Sequence, residues 1–206
     1  MYLVKTPALL RWLSPPCLWR VSAKEKVLYL TFDDGPIPEL TPWILDTLQP
    51  FQAKATFFCV GDNVHKYPDI FKRTIAEGHA AGNHTFHHLN GWKTPLTPYL
   101  DNVQRCQEQV NTRLFRPPYG RMTRQQHAAL HADYQVVMWD VLSGDFDQSI
   151  TPQKCLNNVL RNARPGSIVV LHDNIKATEN IRYALPRILQ VFSNKGYRFE
   201  SLHHHH

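Results

Sequence analysis

Two adjacent carboxylates, Asp33 and Asp34, and two histidines four residues apart, His84 and His88, are the side chains of this sequence best suited to chemistry. Two imidazoles and one carboxylate make a facial set of ligands for one divalent ion, leaving positions open for water and substrate, as in catalytic zinc sites and non-haem iron sites. The second carboxylate is then free to move protons. The spacing His84-Thr85-Phe86-His87-His88 puts the outer two histidines on one side of a helical turn, within reach of a single ion, and His87 between them is read as merely present. Neighbouring strand residues point to opposite faces, so Asp33 and Asp34 serve one site only if the chain turns there. Gly35-Pro36 is the signal that permits the turn.

Three more clusters follow. Arg116-Pro117-Pro118-Tyr119-Gly120 holds a guanidinium and the backbone after it in fixed directions, a rigid fork suited to a carboxylate. Asp140 and Asp145 follow an apolar run, and each is readable as a turn or cap residue. His172 comes directly after the apolar Ile168-Val169-Val170-Leu171.

The elements that must carry these groups alternate. The sequence predicts strands over Val27–Phe32, Ala55–Val60, His79–His84, Leu114–Pro117, Tyr134–Trp139, Ser167–Leu171 and Tyr197–Phe199. Helices are expected over Pro42–Leu48, Ile70–Glu77, Tyr99–Leu114, Gln125–His131, Pro152–Ala163 and Ile181–Phe192. Strands alternating with helices mean parallel strands with helical crossovers, hence an α/β barrel or an open doubly wound sheet. No glycine-rich phosphate loop opens a helix, which disfavours a nucleotide-binding version. The Asp pair, the His pair and His172 all fall at strand C-terminal ends, where sites assemble in parallel α/β folds.

With 206 residues, 43% hydrophobic and 19% charged, the chain is expected to form one globular domain. Residues 1–26 read as an N-terminal segment packing on a catalytic domain over 27–202, and 203–206 as the remnant of a purification tag. The net charge of +6 is scattered, with no basic run, so no nucleic-acid partner is expected. The four cysteines form no Cys-x-x-Cys pair and read as free thiols. No membrane span or signal peptide is visible, a monomer is expected, and localisation is left open.

In order along the chain, Thr31-Phe32-Asp33-Asp34-Gly35-Pro36, His84 to His88, Arg116-Pro117-Pro118-Tyr119, Trp139 to Phe146 and Leu171-His172-Asp173 resemble the five motifs of the polysaccharide deacetylases, the NodB-like domains of carbohydrate esterase family four. The Lys54-Ala55-Thr56-Phe57-Phe58 strand is similar to their second strand, and the likeness covers about Val27 to Leu202. The resemblance implies a distorted, incomplete (β/α) barrel of about seven parallel strands and metal-dependent deacetylation of an N-acetylated glycan, peptidoglycan or chitin-like. It implies Asp34, His84 and His88 as ligands of one divalent ion, with Zn ahead of Co, Mn, Ni or Fe. Asp33 is the implied base, Arg116 its holder, the Tyr119 N–H an oxyanion donor, and His172 the acid oriented by Asp145. One departure stands out. The family has Asp-x-x-Asp-Trp in the fourth motif, where this chain has Leu142-Ser143-Gly144-Asp145-Phe146, so Leu142 and Phe146 are expected to change a groove wall. Two rivals share the fold, a hydrolase of another C–N bond such as an imide or ureide, and a non-catalytic glycan-binding module. A base, its holder and an acid together argue against the second.

Overall fold

The computed structural model describes residues 2–22 and 24–203, so the tag reading falls outside the described residues over 204–206. After a short helix α1 (Ala8–Leu13) come β1 (Val27–Asp33), α2 (Leu40–Leu48), β2 (Ala55–Cys59), α3 (Gly61–Lys66), α4 (Pro68–Ala76) and β3 (Ala80–Asn83). The second half holds α5 (Leu96–Val110), β4 (Leu114–Phe115), α6 (Arg124–Leu130), β5 (Gln135–Val136), β6 (Val141–Leu142), α7 (Pro152–Asn162), β7 (Ile168–His172), α8 (Thr178–Asn194) and β8 (Arg198–Phe199). The strands pair in the order β5-β4-β3-β2-β1-β7-β6, every pairing parallel, with β8 added to the start of β1. Seven strands curl into an incomplete barrel ringed by helices, as the resemblance implies.

The centre of the sheet forms because β1, β2 and β7 are apolar on both faces. Leu28, Leu30 and Phe32 are fully buried, as are Ala55, Phe58, Ile168, Val169 and Leu171. Covering both faces of a parallel sheet makes each such side chain worth roughly 1.5–3 kcal/mol. Phe32 stacks on Phe57 with ring centroids 5.0 Å apart, locking β1 to β2. The register sets Asp33 opposite Phe58 on one side and His172 on the other, so two of the predicted site residues are direct strand neighbours.

One expected strand is not continuous. Of Tyr134–Trp139, only Gln135–Val136 pairs as β5, because the residues that follow leave β4 to span the gap between the two ends of the sheet. Val137 N–H still donates to the Phe115 carbonyl, but Met138 N–H donates to the Leu18 carbonyl, and Asp140 N–H to that of Ile168, the first residue of β7. The N-terminal residues fill that gap. Leu18 N–H donates to the Val136 carbonyl at 2.8 Å and Val21 N–H to the Gly166 carbonyl at 2.9 Å. Among the described residues Cys17, Cys59, Cys106 and Cys155 are free thiols, and no helix is long and apolar enough to cross a membrane.

Candidate active site

At the C-terminal end of β1 the two carboxylates separate as the sequence requires: Asp34 takes a φ of +88°, and the Gly35-Pro36 peptide bond that follows is cis. A left-handed backbone at a non-glycine residue costs of the order of 1–2 kcal/mol, and here it swings Asp34 to the side of the histidines. Gly35 is needed for a different reason: a Cβ there would lie 1.8 Å from Asp173 Oδ2. The Asp173 carboxylate accepts from Gly35 N–H at 2.9 Å and from Thr41 Oγ1 at 2.7 Å, and so clamps the turn. Burial pushes Asp173 up to about 8.

The segment 84–88 is not a helical turn. It is an irregular loop after β3, with Thr85 at φ +62° and His88 at φ +55°. Side chains compete for its backbone: Asn83 Oδ1 accepts from Thr85 N–H, and Asn102 Oδ1 accepts from Phe86 and His87 N–H, each at 2.9 Å. These side-chain bonds stand where helical hydrogen bonds were expected. The two rings still converge, with centroids 5.1 Å apart. His87 turns away to Asn102.

Asp34, His84 and His88 offer one ligand atom each, all within 4.8 Å of one another. Asp34 Oδ1 lies 3.5 Å from His84 Nε2 and 3.1 Å from His88 Nε2. Two donors bound to one ion at ~2.1 Å and a tetrahedral angle lie ~3.4 Å apart, so the spacing fits a single small divalent cation. The donor chemistry fits as well. His84 Nδ1 bonds the Arg116 carbonyl at 2.7 Å, which makes Nδ1 the protonated nitrogen and turns the Nε2 lone pair to the site. Asn174 Nδ2 donates to Asp34 Oδ2 at 2.6 Å, leaving Oδ1 to face the imidazoles. Burial would raise the Asp34 carboxyl, but the neighbouring His84 and His88 imidazoles and the charge of His172 outweigh it and hold it well below the usual range.

Arg116, fully buried, leaves β4 and reaches across the barrel. Its NH1 donates to Asp33 Oδ1 at 2.6 Å and to Thr31 Oγ1 at 2.7 Å, NH2 to the Met138 carbonyl and Nε to the Val137 carbonyl, while the guanidinium lies 4.0 Å from the Phe58 ring centroid. Four of the five N–H donors of the fork are used, which makes the buried charge tolerable. Tyr119, at φ +61°, packs its ring 4.6 Å from that of His88 and is 60% exposed. In the same segment Gly120 and Arg121 N–H donate to the Pro117 and Pro118 carbonyls, and Arg116 N–H to Asn83.

Facing these, His172 ends β7 with Nδ1 2.8 Å from Asp145 Oδ1, while its own N–H donates to Asp145 Oδ2 at 2.7 Å. Ser143 Oγ and Phe146 N–H donate to Asp145 Oδ1, and Asn180 holds the Asp145 carbonyl. Burial alone would lower His172; the carboxylates Asp145, Asp34 and Asp33 reverse the sign and push it up to about 9. Phe146 stands edge-on to the His172 ring at 5.1 Å, and Leu142 is buried. Asp140, the other acid of this stretch, lies away from the site, bonded to Lys5 and Ser167.

The structure therefore brings Asp33, Asp34, His84, His88, Arg116, Tyr119, Asp145 and His172 to one rim. Sequence reasoning missed Thr31, Asp173 and Asn174. Thr31 lies two residues before Asp33 on the same strand face, so strand periodicity pointed to it, whereas Asp173 and Asn174 lie beyond the end of β7.

A parallel barrel with two imidazoles and a carboxylate at its open rim, beside a second carboxylate and a paired histidine, defines a metal-dependent hydrolase. The polysaccharide deacetylase family matches residues 20–137, and the chain belongs to that family, whose members are generally metal-dependent. It is 37% identical over 188 residues to a peptidoglycan-N-acetylglucosamine deacetylase of Bacillus cereus, covering 88% of each chain. A chitooligosaccharide deacetylase of Azorhizobium caulinodans is 34% identical over 168 residues, 78% of this chain and 80% of that one. A crystal structure of a peptidoglycan N-acetylglucosamine deacetylase in complex with 4-naphthalen-1-yl-N-oxidanyl-benzamide superposes with a TM-score of 0.84 at 35% identity, covering 90% of both chains.

Proposed function

We propose that this chain removes the acetyl group from an N-acetylated amino sugar of a glycan, peptidoglycan or a chitin-like polymer, and releases acetate. Asp34, His84 and His88 hold the cation, Zn ahead of Co, Mn, Ni or Fe. The observation that supports this most is the division of labour between adjacent carboxylates: Asp34 faces the imidazoles, and Asp33 is held by Arg116.

A bound divalent ion supplies Lewis acidity, polarising the acetyl carbonyl and easing the deprotonation of water. Asp33 is the base. Arg116 occupies its Oδ1 and fixes its plane, and Oδ2 is assigned to take the proton of the attacking water. The Tyr119 N–H is assigned to the developing oxyanion, since its neighbours in the turn are prolines or are already bonded. An amine leaves an amide only once protonated, and His172 is assigned that step. Asp145 binds Nδ1 and stabilises the imidazolium, which leaves Nε2 to donate. Asp34 and His88 side chains are 20% and 27% exposed, so the ligand set is reached from solvent.

Acetate release from peptidoglycan, from N-acetylglucosamine oligomers and from imides and ureides tests the proposal. Release from a glycan that stops with chelator and returns with Zn is expected. Turnover confined to imides or ureides, or binding of glycan with no acetate, overturns it.

A further inference from the structure

Residues 2–6 run antiparallel along β6, the edge strand of the sheet. Leu142 N–H donates to the Val4 carbonyl at 2.8 Å, Lys5 bridges Val141, and Thr6 N–H donates to the Asp140 carbonyl at 3.2 Å. Side chains fasten the same stretch: Lys5 Nζ reaches Asp140 Oδ2 at 2.6 Å and the Asn162 carbonyl at 2.9 Å, and Thr6 Oγ1 the Trp139 carbonyl at 2.9 Å. An antiparallel course along β6 carries the chain from Thr6 back towards the C-terminal end of that strand, which is the rim of the site. Tyr2 arrives there.

Its ring lies 5.2 Å from that of Phe146, and Phe146 lies 5.1 Å from the His172 ring, nearly perpendicular at 73°. Gly144, at φ +78°, makes the approach possible, because a Cβ there would lie 2.6 Å from Tyr2 Oη. Phe146 is bound to the acid's partner as well, through its N–H to Asp145 Oδ1. The His172 ring is thus fixed at Nδ1 by Asp145 and on its flank by Phe146, and the outer side of Phe146 is closed by Tyr2. Burial, with the Asp147 carboxylate beside it, pushes the Tyr2 phenol up to about 12, so the ring stays neutral wherever His172 titrates.

The geometry points to Tyr2 as a positioning residue for the proposed acid: it holds Phe146 against His172 and makes residues 2–6 part of the active-site wall. This rests on His172 acting as the acid. The phenyl ring at 146 leaves space on the wall, and an N-terminal ring fills it. The chain outside the barrel thereby acts on the rate at which the leaving amine is protonated.

Tyr2→Ala, Tyr2→Phe and the double variant Tyr2→Ala/Phe146→Trp test this, by acetate release across pH and by the His172 ring resonances in the metal-free protein. The carboxylates facing His172, which are Asp145, Asp34 and Asp33, are intact in all three. Tyr2→Ala is expected to lower kcat by roughly two- to tenfold, the worth of one aromatic pair, with KM unchanged. Its His172 resonances shift. Tyr2→Phe keeps wild-type kcat, and the larger ring of Phe146→Trp recovers what Tyr2→Ala loses. Wild-type kcat and unmoved His172 resonances in Tyr2→Ala overturn the inference, as does a loss that neither ring restores. If the wild type itself releases no acetate, the proposed function fails separately, and the His172 resonances still decide whether Tyr2 holds that ring.

Discussion

The half of the barrel made by β1, β2, β3 and β7 and the half made by β4, β5, β6 and the N-terminal residues each supply part of the site, by different physical means. In the first, strands of four to seven residues in mutual register carry Asp33, Asp34, His84 and His172 on their ends. Position there comes from the sheet. In the second, strands of two residues cannot fix direction, and Arg116 and Asp145 are held by buried polar bonds instead. A register is shared by many residues and survives the loss of one side chain. A saturated polar network does not, because each partner removed leaves another unpaired in low dielectric.

Arg116→Ala gives the largest effect expected from this contrast. It strands the Asp33 carboxylate and should cost about 3–5 kcal/mol in denaturant unfolding. Leu30→Ala in the register-built half should cost about 2–5 kcal/mol, through a cavity alone. The two are told apart by adding Asp33→Asn: the double variant with Arg116→Ala regains stability, since the unpaired charge is gone, and the double variant with Leu30→Ala does not. Equal behaviour in both backgrounds would break the comparison.

Asp145→Asn should come next. His172 in the folded protein is raised to about 9 from 6.5, so its pairing stabilises the fold fully below pH 6.5 and that stabilisation fades as pH rises through 9. The contribution is on the order of 2 kcal/mol after allowance for solvent screening. In Asp145→Asn the carboxylate that raises His172 most is gone while burial still lowers it, so the His172 titration seen by NMR in the metal-free protein moves down from about 9, and the basic limb of the activity profile moves to lower pH. An unmoved titration would mean that Asp145 does not set the state of the imidazole. Thr31→Val should be the mildest, about 1–2 kcal/mol, because Arg116 NH1 loses one acceptor of two and keeps Asp33. A loss as large as that of Arg116→Ala would place Thr31 at the centre of the network.

The same contrast explains what could be read from the sequence. Val27 to Phe32 and Ile168 to Leu171 are apolar runs long enough to announce buried strands, and the acids and histidine at their ends follow directly. Leu114–Phe115 falls within the short strand expected over Leu114–Pro117, but Val141–Leu142 is two residues, too short for any period, and its place depends on partners far away in the chain. The path of 134–142 was legible as apolar but not as a crossing of the gap, since its partners are Leu18 and Val4. His84 and His88 were legible as a pair from spacing alone, while the loop that presents them depends on Asn83 and Asn102 competing for backbone N–H groups. The fifth motif gave His172, and the neighbours that clamp the Asp33-Asp34 turn from the same segment, Asp173 and Asn174, required the structure.

The central claim is that Asp34 and Asp33, one residue apart, hold an ion and move a proton respectively. Calorimetric Zn titration of Asp33→Asn and His84→Ala, set beside acetate release by each, tests it most directly. Asp33→Asn should bind one Zn as the wild type does while turnover falls by ~10²–10⁴-fold, and His84→Ala should lose Zn and turnover together. The claim is contradicted if Asp33→Asn loses the ion to the same degree as His84→Ala, or keeps wild-type turnover.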